Sequence, residues 1–393
     1  MAKAAIIGFG TVGSGVYEIL KNNNFKEKIG EDIEVERILD IRDFSGHEAK
    51  KLFTKEFSEL CGNEKIDVVA ETMGGLHPAY EYTKELLNAG KSVVTSNKEL
   101  VATYGPELLE LAKKNNVNYM FEASVGGGIP IIRPMATCLL SDNIEKVAGI
   151  LNGTTNYILT EMFEKGKSFD KSLSDAQELG YAERNPAADV EGYDACRKIA
   201  ILASLAWGKF VDYKDIPTEG ITNISEEDVK YAEKLGGVIK LIGYAEKLGD
   251  KVNIMVRPMF VDKKMQLAGV SGVFNAIDVK GEYLGETMFY GRGAGKEATA
   301  GAVTADIIDC VKHKGVNKHN IYWNTEDKNF VLDLGQDKAS YFVISTDGEA
   351  DFKKTKETND KKAFITEKMS AEQFSEKAQS QKNIKSFIRV LEV

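Results

Sequence analysis

Along the first third of the chain, short apolar runs alternate with amphipathic stretches. Residues 3–7 read as a strand. Residues 12–21 read as a helix, because Val12, Val16, Ile19 and Leu20 fall on one side at helical spacing. Further strands are predicted over 33–39, 67–70, 92–95 and 118–121, each after a helical stretch or a loop. This rhythm predicts parallel strands with helices on the faces of the sheet. The Val- and Ile-rich runs suit strands buried on both sides. The pattern changes at residues 122–130, EASVGGGIP, where three consecutive glycines are unsuited to the interior of a helix or strand. Beyond it come helical stretches, then strands over 236–244, 252–260 and about 273–279, a second layer system of α+β type. Residues 295–313 form a helix rich in small residues. From about residue 321, strands are predicted over 341–345, 363–366 and 386–393, with a helix over 371–379 between the last two. Residues 347–360 are charged and poor in apolar side chains, and read as a solvated loop. No internal repeat is present.

With 393 residues, the chain has room for two or three domains. Its 51 basic and 60 acidic residues leave a net charge of −9, with acids interspersed among the lysines. That balance gives no general pull toward nucleic acid or anionic lipid. The longest largely apolar stretch, 199–207, is far short of the roughly 20 residues of a spanning helix. The amino terminus runs straight into glycines and a helix, unlike a signal peptide. A cytoplasmic location is expected. Cys61, Cys138, Cys196 and Cys310 lie far apart without a CxxC, which suits free thiols. The four histidines are too scattered for a zinc signature.

Gly8-Phe9-Gly10-Thr11-Val12-Gly13 follows the first strand and opens the first helix. In that setting the first glycine allows a tight turn, the second lets the backbone approach a pyrophosphate, and the third lets helix and strand pack closely. The helix amino terminus offers N–H groups and partial positive charge to the anion. The second strand ends in Asp40-Ile41-Arg42-Asp43. An acid there holds the ribose hydroxyls of NAD, and an arginine accommodates the 2′-phosphate of NADP. Both are present, so NADPH or NADH is expected, with Arg42 favouring NADPH. The densest run of chemical candidates is 176–198, which contains Tyr181, Glu183, Asp189, Asp194 and Lys198. Asp194 and Lys198 share a helix face, as a surface ion pair or as a proton relay. Glu183 and Asp189 are acceptors for a cationic amine, and Tyr181 adds a contact.

The run A-x-x-x-G-Y-A-E-x-x-P-x-x-D-x-E-G-x-D-x-x-x-K resembles the signature of homoserine dehydrogenases. The segments 150–159 (ILNGTTNYIL), 95–99 (TSNKE) and 122–130 are similar to that family too, and occur in its order. The resemblance covers about residues 1–315. It implies a Rossmann-type doubly wound parallel sheet, residues 1–130 completed by about 295–315, and an α+β catalytic and dimerisation domain, residues 131–294. It implies reversible reduction of L-aspartate 4-semialdehyde to L-homoserine with NADPH or NADH. By the same resemblance Lys198 is the proton donor, with Lys98 the rival acid–base candidate beside the nicotinamide. Glu183 and Asp194 hold the substrate, with Asp189, Thr154 and Tyr181 close by. Thr72 and Gly293 join the cofactor set, Gly293 within a second glycine loop, 291–295, where Arg292 replaces the more usual proline. Glu122 and the carbonyls of Val125, Gly127 and Ile129 are implied to surround a sodium ion. The expected partner is a small-molecule substrate, with neither nucleic acid nor membrane, and the expected assembly is a homodimer or dimer of dimers. Residues 321–393 resemble a shortened ACT-like regulatory domain without its first helix.

Two other readings fit less well. A phosphorylating aldehyde dehydrogenase needs a cysteine thiolate with a histidine base, and no cysteine here has a histidine nearby in sequence. A dinucleotide-sensing regulator needs a basic nucleic-acid-binding module, which the charge distribution lacks.

Overall fold

The computed structural model describes residues 1–326, 329–333 and 337–392; the end of the last predicted strand, Val393, lies outside the described residues. The chain divides into two compact units, each assembled from three separate stretches. One comprises Met1–Ser141, Ala200–Asp212 and Gly291–Glu326, the other Asp142–Ile199, Tyr213–Tyr290 and Asp327–Val393.

The first unit is built on strands β1 (Ala2–Ile7), β2 (Ile33–Leu39), β3 (Phe53–Thr54), β4 (Val68–Glu71), β5 (Ser92–Thr95) and β6 (Tyr119–Met120). They form one sheet in the order β3-β2-β1-β4-β5-β6, with every pair parallel. This is the doubly wound order in which chain direction across the sheet reverses beside β1, so the strand ends of β1 and β4 flank a ligand crevice. All four residues of β4 and of β5 are buried, which is why these strands are continuously apolar or tightly paired and do not alternate. The Thr11–Asn22 helix buries Val16 and Leu20, and the Lys296–Lys312 helix adds Val303 and Ile307 to the same core. Those helices approach closely: a Cβ on Gly15 would stand 2.8 Å from that of Ala300. Two-residue β3 carries too short a pattern to be read from sequence.

The second unit contains β7 (Ile144–Ile150), β8 (Gly237–Leu248), β9 (Lys251–Asp262), β10 (Phe274–Gly281) and, as far as Tyr290, β11 (Gly285–Arg292). Its tail adds β12 (Lys338–Ala339), β13 (Tyr341–Ser345), β14 (Lys354–Glu357), β15 (Ala363–Thr366), β16 (Met369–Ser370) and β17 (Ile384–Val390). Strands β8 and β9 pair along their full lengths around Gly249, whose φ of +62° suits glycine. The tail strands extend the same sheet. Its order is β11-β10-β7-β8-β9-β17-β13-β15-β14, joined where Arg389 and Val390 run parallel to Met259 and Phe260.

The solvated loop expected over 347–360 is corrected in part. Lys354–Glu357 is an edge strand paired with β15, and Ala350 and Phe352 are buried against Phe364 and Phe374. An edge strand needs only backbone pairing on one side and tolerates charged side chains, so KTKE gives no alternating signal. Among the described residues no helix separates β13 from β15.

Candidate active site

The glycine turn between β1 and the Thr11–Asn22 helix gives Gly8 and Gly13 a steric reason and leaves open space at Gly10. Gly8 has φ +87°, and a Cβ there would crowd Thr72 and Met73 at 3.1 Å. A Cβ on Gly13 would fall 1.9 Å from the Gly8 carbonyl oxygen, so helix and strand pack directly. Beside Gly10 there is open space within 4 Å, where a phosphate can approach the backbone. Thr72 Oγ1 lies 2.9 Å from the Ile7 carbonyl and 2.7 Å from that of Gly8, bracing the turn from the end of β4. Phe9 N–H donates to Asp40 Oδ2 at 2.7 Å. The Arg42 guanidinium, more than half exposed, donates to both Asp40 oxygens at 2.9 and 2.7 Å. That pairing holds the Asp40 carboxyl down at about 2. Asp40 and Arg42 therefore form one ionic unit at the end of β2. Lys98 is the first residue of the Lys98–Lys114 helix, capped by Asn97, whose Oδ1 accepts from Leu100 N–H at 3.1 Å.

The glycine-rich loop 122–130 is drawn onto the second glycine loop of the same unit. Gly126 and Gly127 have φ of +73° and +55°, and a Cβ on Gly127 would lie 2.4 Å from the Gly293 carbonyl oxygen. Gly128 N–H donates to the Arg292 carbonyl at 3.2 Å. Glu122 is buried and accepts from Ile131 N–H and Ile132 N–H at 2.6 and 2.8 Å and from Arg133 N–H at 2.8 Å. Its own N–H donates to Asp306, which also pairs with Arg133 at 2.5 Å.

In the second unit, Asp194 and Lys198 lie in the Tyr193–Trp207 helix, one turn apart and both buried. Lys198 Nζ donates to Asp194 Oδ2 at 2.7 Å and to the Leu151 carbonyl at 2.8 Å. Asn152 joins them. It caps the Gly153–Lys165 helix, its Oδ1 accepting from Thr155 N–H at 2.9 Å, while its Nδ2 donates to Asp189 at 2.7 Å and to Asp194 at 2.9 Å. Burial, then the charge of Asp194, pushes the Asp189 carboxyl above its ordinary range. Thr154 Oγ1 donates to the Tyr181 carbonyl at 2.7 Å, tethering the 176–190 segment to the same helix start. Tyr181 is partly exposed, its ring 5.2 Å from that of Tyr157. Asp189, Asp194, Lys198 and Thr154 are thus brought together, whereas Glu183 is exposed and outside the hydrogen-bonded cluster. Asn152 was not among the candidates read from sequence. The available signal was an asparagine directly before a helix, in a position suited to capping.

A phosphate-binding glycine turn on a doubly wound sheet, with a buried lysine–carboxylate cluster elsewhere in the chain, defines an NAD(P)-dependent oxidoreductase acting on a small molecule. Comparison with known proteins narrows this. Residues 8–122 match the homoserine dehydrogenase NAD-binding domain, and residues 130–308 match the homoserine dehydrogenase family. Homoserine dehydrogenase of Bacillus subtilis is 41% identical over 317 residues, covering 79% of this chain and 73% of the relative. That of Synechocystis sp. is 43% identical with the same coverage. The crystal structure of a homoserine dehydrogenase from Thiobacillus denitrificans superimposes with a TM-score of 0.89 at 32% identity, covering 100% of this chain and 98% of that one. A hyperthermophilic archaeal homoserine dehydrogenase in complex with NADPH gives a TM-score of 0.67 at 31% identity, covering 79% and 97%. The chain belongs to the homoserine dehydrogenase family. Its reaction is the reversible NAD(P)H-dependent reduction of L-aspartate 4-semialdehyde to L-homoserine, a step of threonine, methionine and isoleucine biosynthesis.

Proposed function

We propose that Lys198 is the general acid of aldehyde reduction and the general base of homoserine oxidation. The observation that carries this reading is the Lys198 ammonium itself, buried and held between Asp194 Oδ2 and the Leu151 carbonyl. When bound, the reduced nicotinamide supplies a hydride to the aldehyde carbon. Negative charge then grows on the aldehyde oxygen, and an ammonium within reach stabilises and protonates it. Asp194 orients the Lys198 side chain through their hydrogen bond, and Asn152 fixes Asp194 and Asp189 from the other side. Asp189, Asp194 and the exposed Glu183 accept from the substrate ammonium, with Thr154 and Tyr181 shaping that end of the site.

Gly8–Gly13, Thr72, Arg42, Lys98 and Gly293 hold the cofactor in this reading. The Asp40–Arg42 pair favours NADPH, because the guanidinium can turn toward a 2′-phosphate while Asp40 keeps its bond to Phe9 N–H. A sodium ion fits the donor set at 122–130. Two glycines at positive φ turn the carbonyls of that loop, and Glu122, with three of its roughly four acceptor sites taken by N–H groups, retains one for a hard cation. We place the enzyme in the cytoplasm as a homodimer or dimer of dimers. Exposed Tyr283, Leu284, Met288 and Tyr290 along the β10–β11 edge support assembly, and light scattering of the purified protein measures it. Among the described residues no helix is long and apolar enough to cross a membrane. The tail extends the sheet of its own unit, which supports a structural role for it.

Steady-state homoserine oxidation with NADP and with NAD, in sodium chloride and in choline chloride, tests these assignments together. The expected result is lower KM with NADP and higher activity with sodium. Equal use of both cofactors, or indifference to sodium, removes the corresponding assignment.

A further inference from the structure

The carboxylate of Glu71 is fully buried at the end of β4, outside the set of residues assigned above. It sits between two loops. Oε1 accepts from Met73 N–H at 2.7 Å, and Oε2 accepts from the Thr95 hydroxyl at 2.5 Å, across from β4 to β5. Burial raises the Glu71 carboxyl to about 7, against the opposing effect of Thr95, Met73 and Asn97. Burying a carboxylate costs free energy that an apolar residue of the same size would not. Its retention here has a geometric counterpart.

On the β4 side, Met73 follows Thr72, the residue that braces the Ile7 and Gly8 carbonyls under the glycine turn. On the β5 side, Thr95 Oγ1 accepts from Asn97 N–H at 2.9 Å. Asn97 Nδ2 donates back to the Gly75 carbonyl at 2.7 Å, and its Oδ1 caps the helix that begins at Lys98. The two loops are thereby closed into one network, with Glu71 at the crossing. We infer that Glu71 is a positioning residue: its carboxylate locks the loop under the glycine turn to the loop that presents Lys98, so that both meet the cofactor in fixed register. Once ionised, a carboxylate suits the position because it only accepts, and the Met73 amide and the Thr95 hydroxyl both donate to it. A glutamine must turn its NH2 toward one of them.

The inference rests on the reading of Lys98 and the glycine turn as cofactor-side groups. Two substitutions, Glu71→Gln and Thr95→Val, cut the same link from opposite ends. Each is expected to raise KM for NADP or lower kcat by about tenfold to a hundredfold, the scale of a lost hydrogen bond to a charged group. KM for homoserine should stay within about twofold, on the additivity expected of separate sites. The double variant should be no worse than the worse single, and Thr95→Ser, which keeps the hydroxyl, should retain wild-type kinetics. If Glu71→Gln fails to fold, the contrast between Thr95→Val and Thr95→Ser carries the test. Multiplying losses in the double variant, a parallel rise in the homoserine KM, or a lowered Tm with unchanged kinetics would each overturn the inference. Lys98→Ala keeps the two readings apart. Unchanged NADP kinetics there removes the assignment of Lys98, whereas a loss there with none in Glu71→Gln and Thr95→Val removes Glu71 alone.

Discussion

Replacing Lys198 with alanine should produce two separable losses, one chemical and one structural. The chemical loss is that of a general acid–base group, roughly 10²–10⁴-fold in turnover. The structural loss follows from the surroundings of Asp194. Its side chain and that of Lys198 are 9% and 10% exposed, so the pair counts as buried. Breaking such a pair from one side costs roughly 3–5 kcal/mol, because the remaining charge is left uncompensated. Here the residue is worse placed than usual. Asp194 shares Asn152 with Asp189, whose carboxyl is already pushed up by burial and by the charge of Asp194. Without the lysine, a carboxyl of this pair gains proton affinity in the folded state relative to the unfolded chain. The folded variant then binds more protons than the unfolded one, so its stability falls as pH rises above the ordinary carboxylate value of about 3.9. The Tm deficit of Lys198→Ala should therefore narrow as pH is lowered from about 8 to about 5, by linkage. Asp194→Asn in the same background removes the stranded charge. It should recover much of the lost stability and none of the lost turnover. Thermal melts at several pH values and single-turnover homoserine oxidation read the two quantities independently. Near-wild-type turnover in Lys198→Ala, or turnover restored by Asp194→Asn, would refute the role given to Lys198.

Arg42→Ala should depress NADPH use by about tenfold or more, the weight of a charge-assisted contact, and leave NADH use nearly intact, since Asp40 keeps Phe9 N–H; equal losses with both cofactors count against phosphate reading. Glu183→Gln keeps the size but removes the negative charge offered to the substrate ammonium, so it should raise the KM for homoserine and leave nicotinamide affinity unchanged; the reverse pattern in initial-rate kinetics would reassign it. Removing residues 325–393 strips β17 from β9, uncovering Met259 and Phe260 at a sheet edge. The truncated protein should be poorly soluble, while L-threonine at millimolar concentration should inhibit the intact enzyme weakly or not at all. Strong threonine inhibition lost with the tail would establish an effector site there.

The parts of this protein that were legible in the sequence are those whose physics is local. The turn Gly8–Gly13 demands glycine at a positive φ and at a 1.9 Å approach, both within six residues of chain. The Asp194–Lys198 pair is one helical turn long, so its spacing alone puts both on one face. Strands such as β13 and β15 appear where apolar residues cluster, and their bounds follow. Asn152 is different. Its two carboxylate partners lie 37 and 42 positions away, and nothing in its neighbourhood states that they will arrive. Glu71 and Thr95 are 24 apart and meet only because β4 and β5 are laid side by side in register. The tail carries the same lesson. A seven-residue run can announce that β17 is a strand, yet periodicity is a property of one segment, whereas pairing is a property of two. That β17 seats on the open edge of β9, more than a hundred residues earlier, follows from which edges the rest of the sheet leaves unpaired.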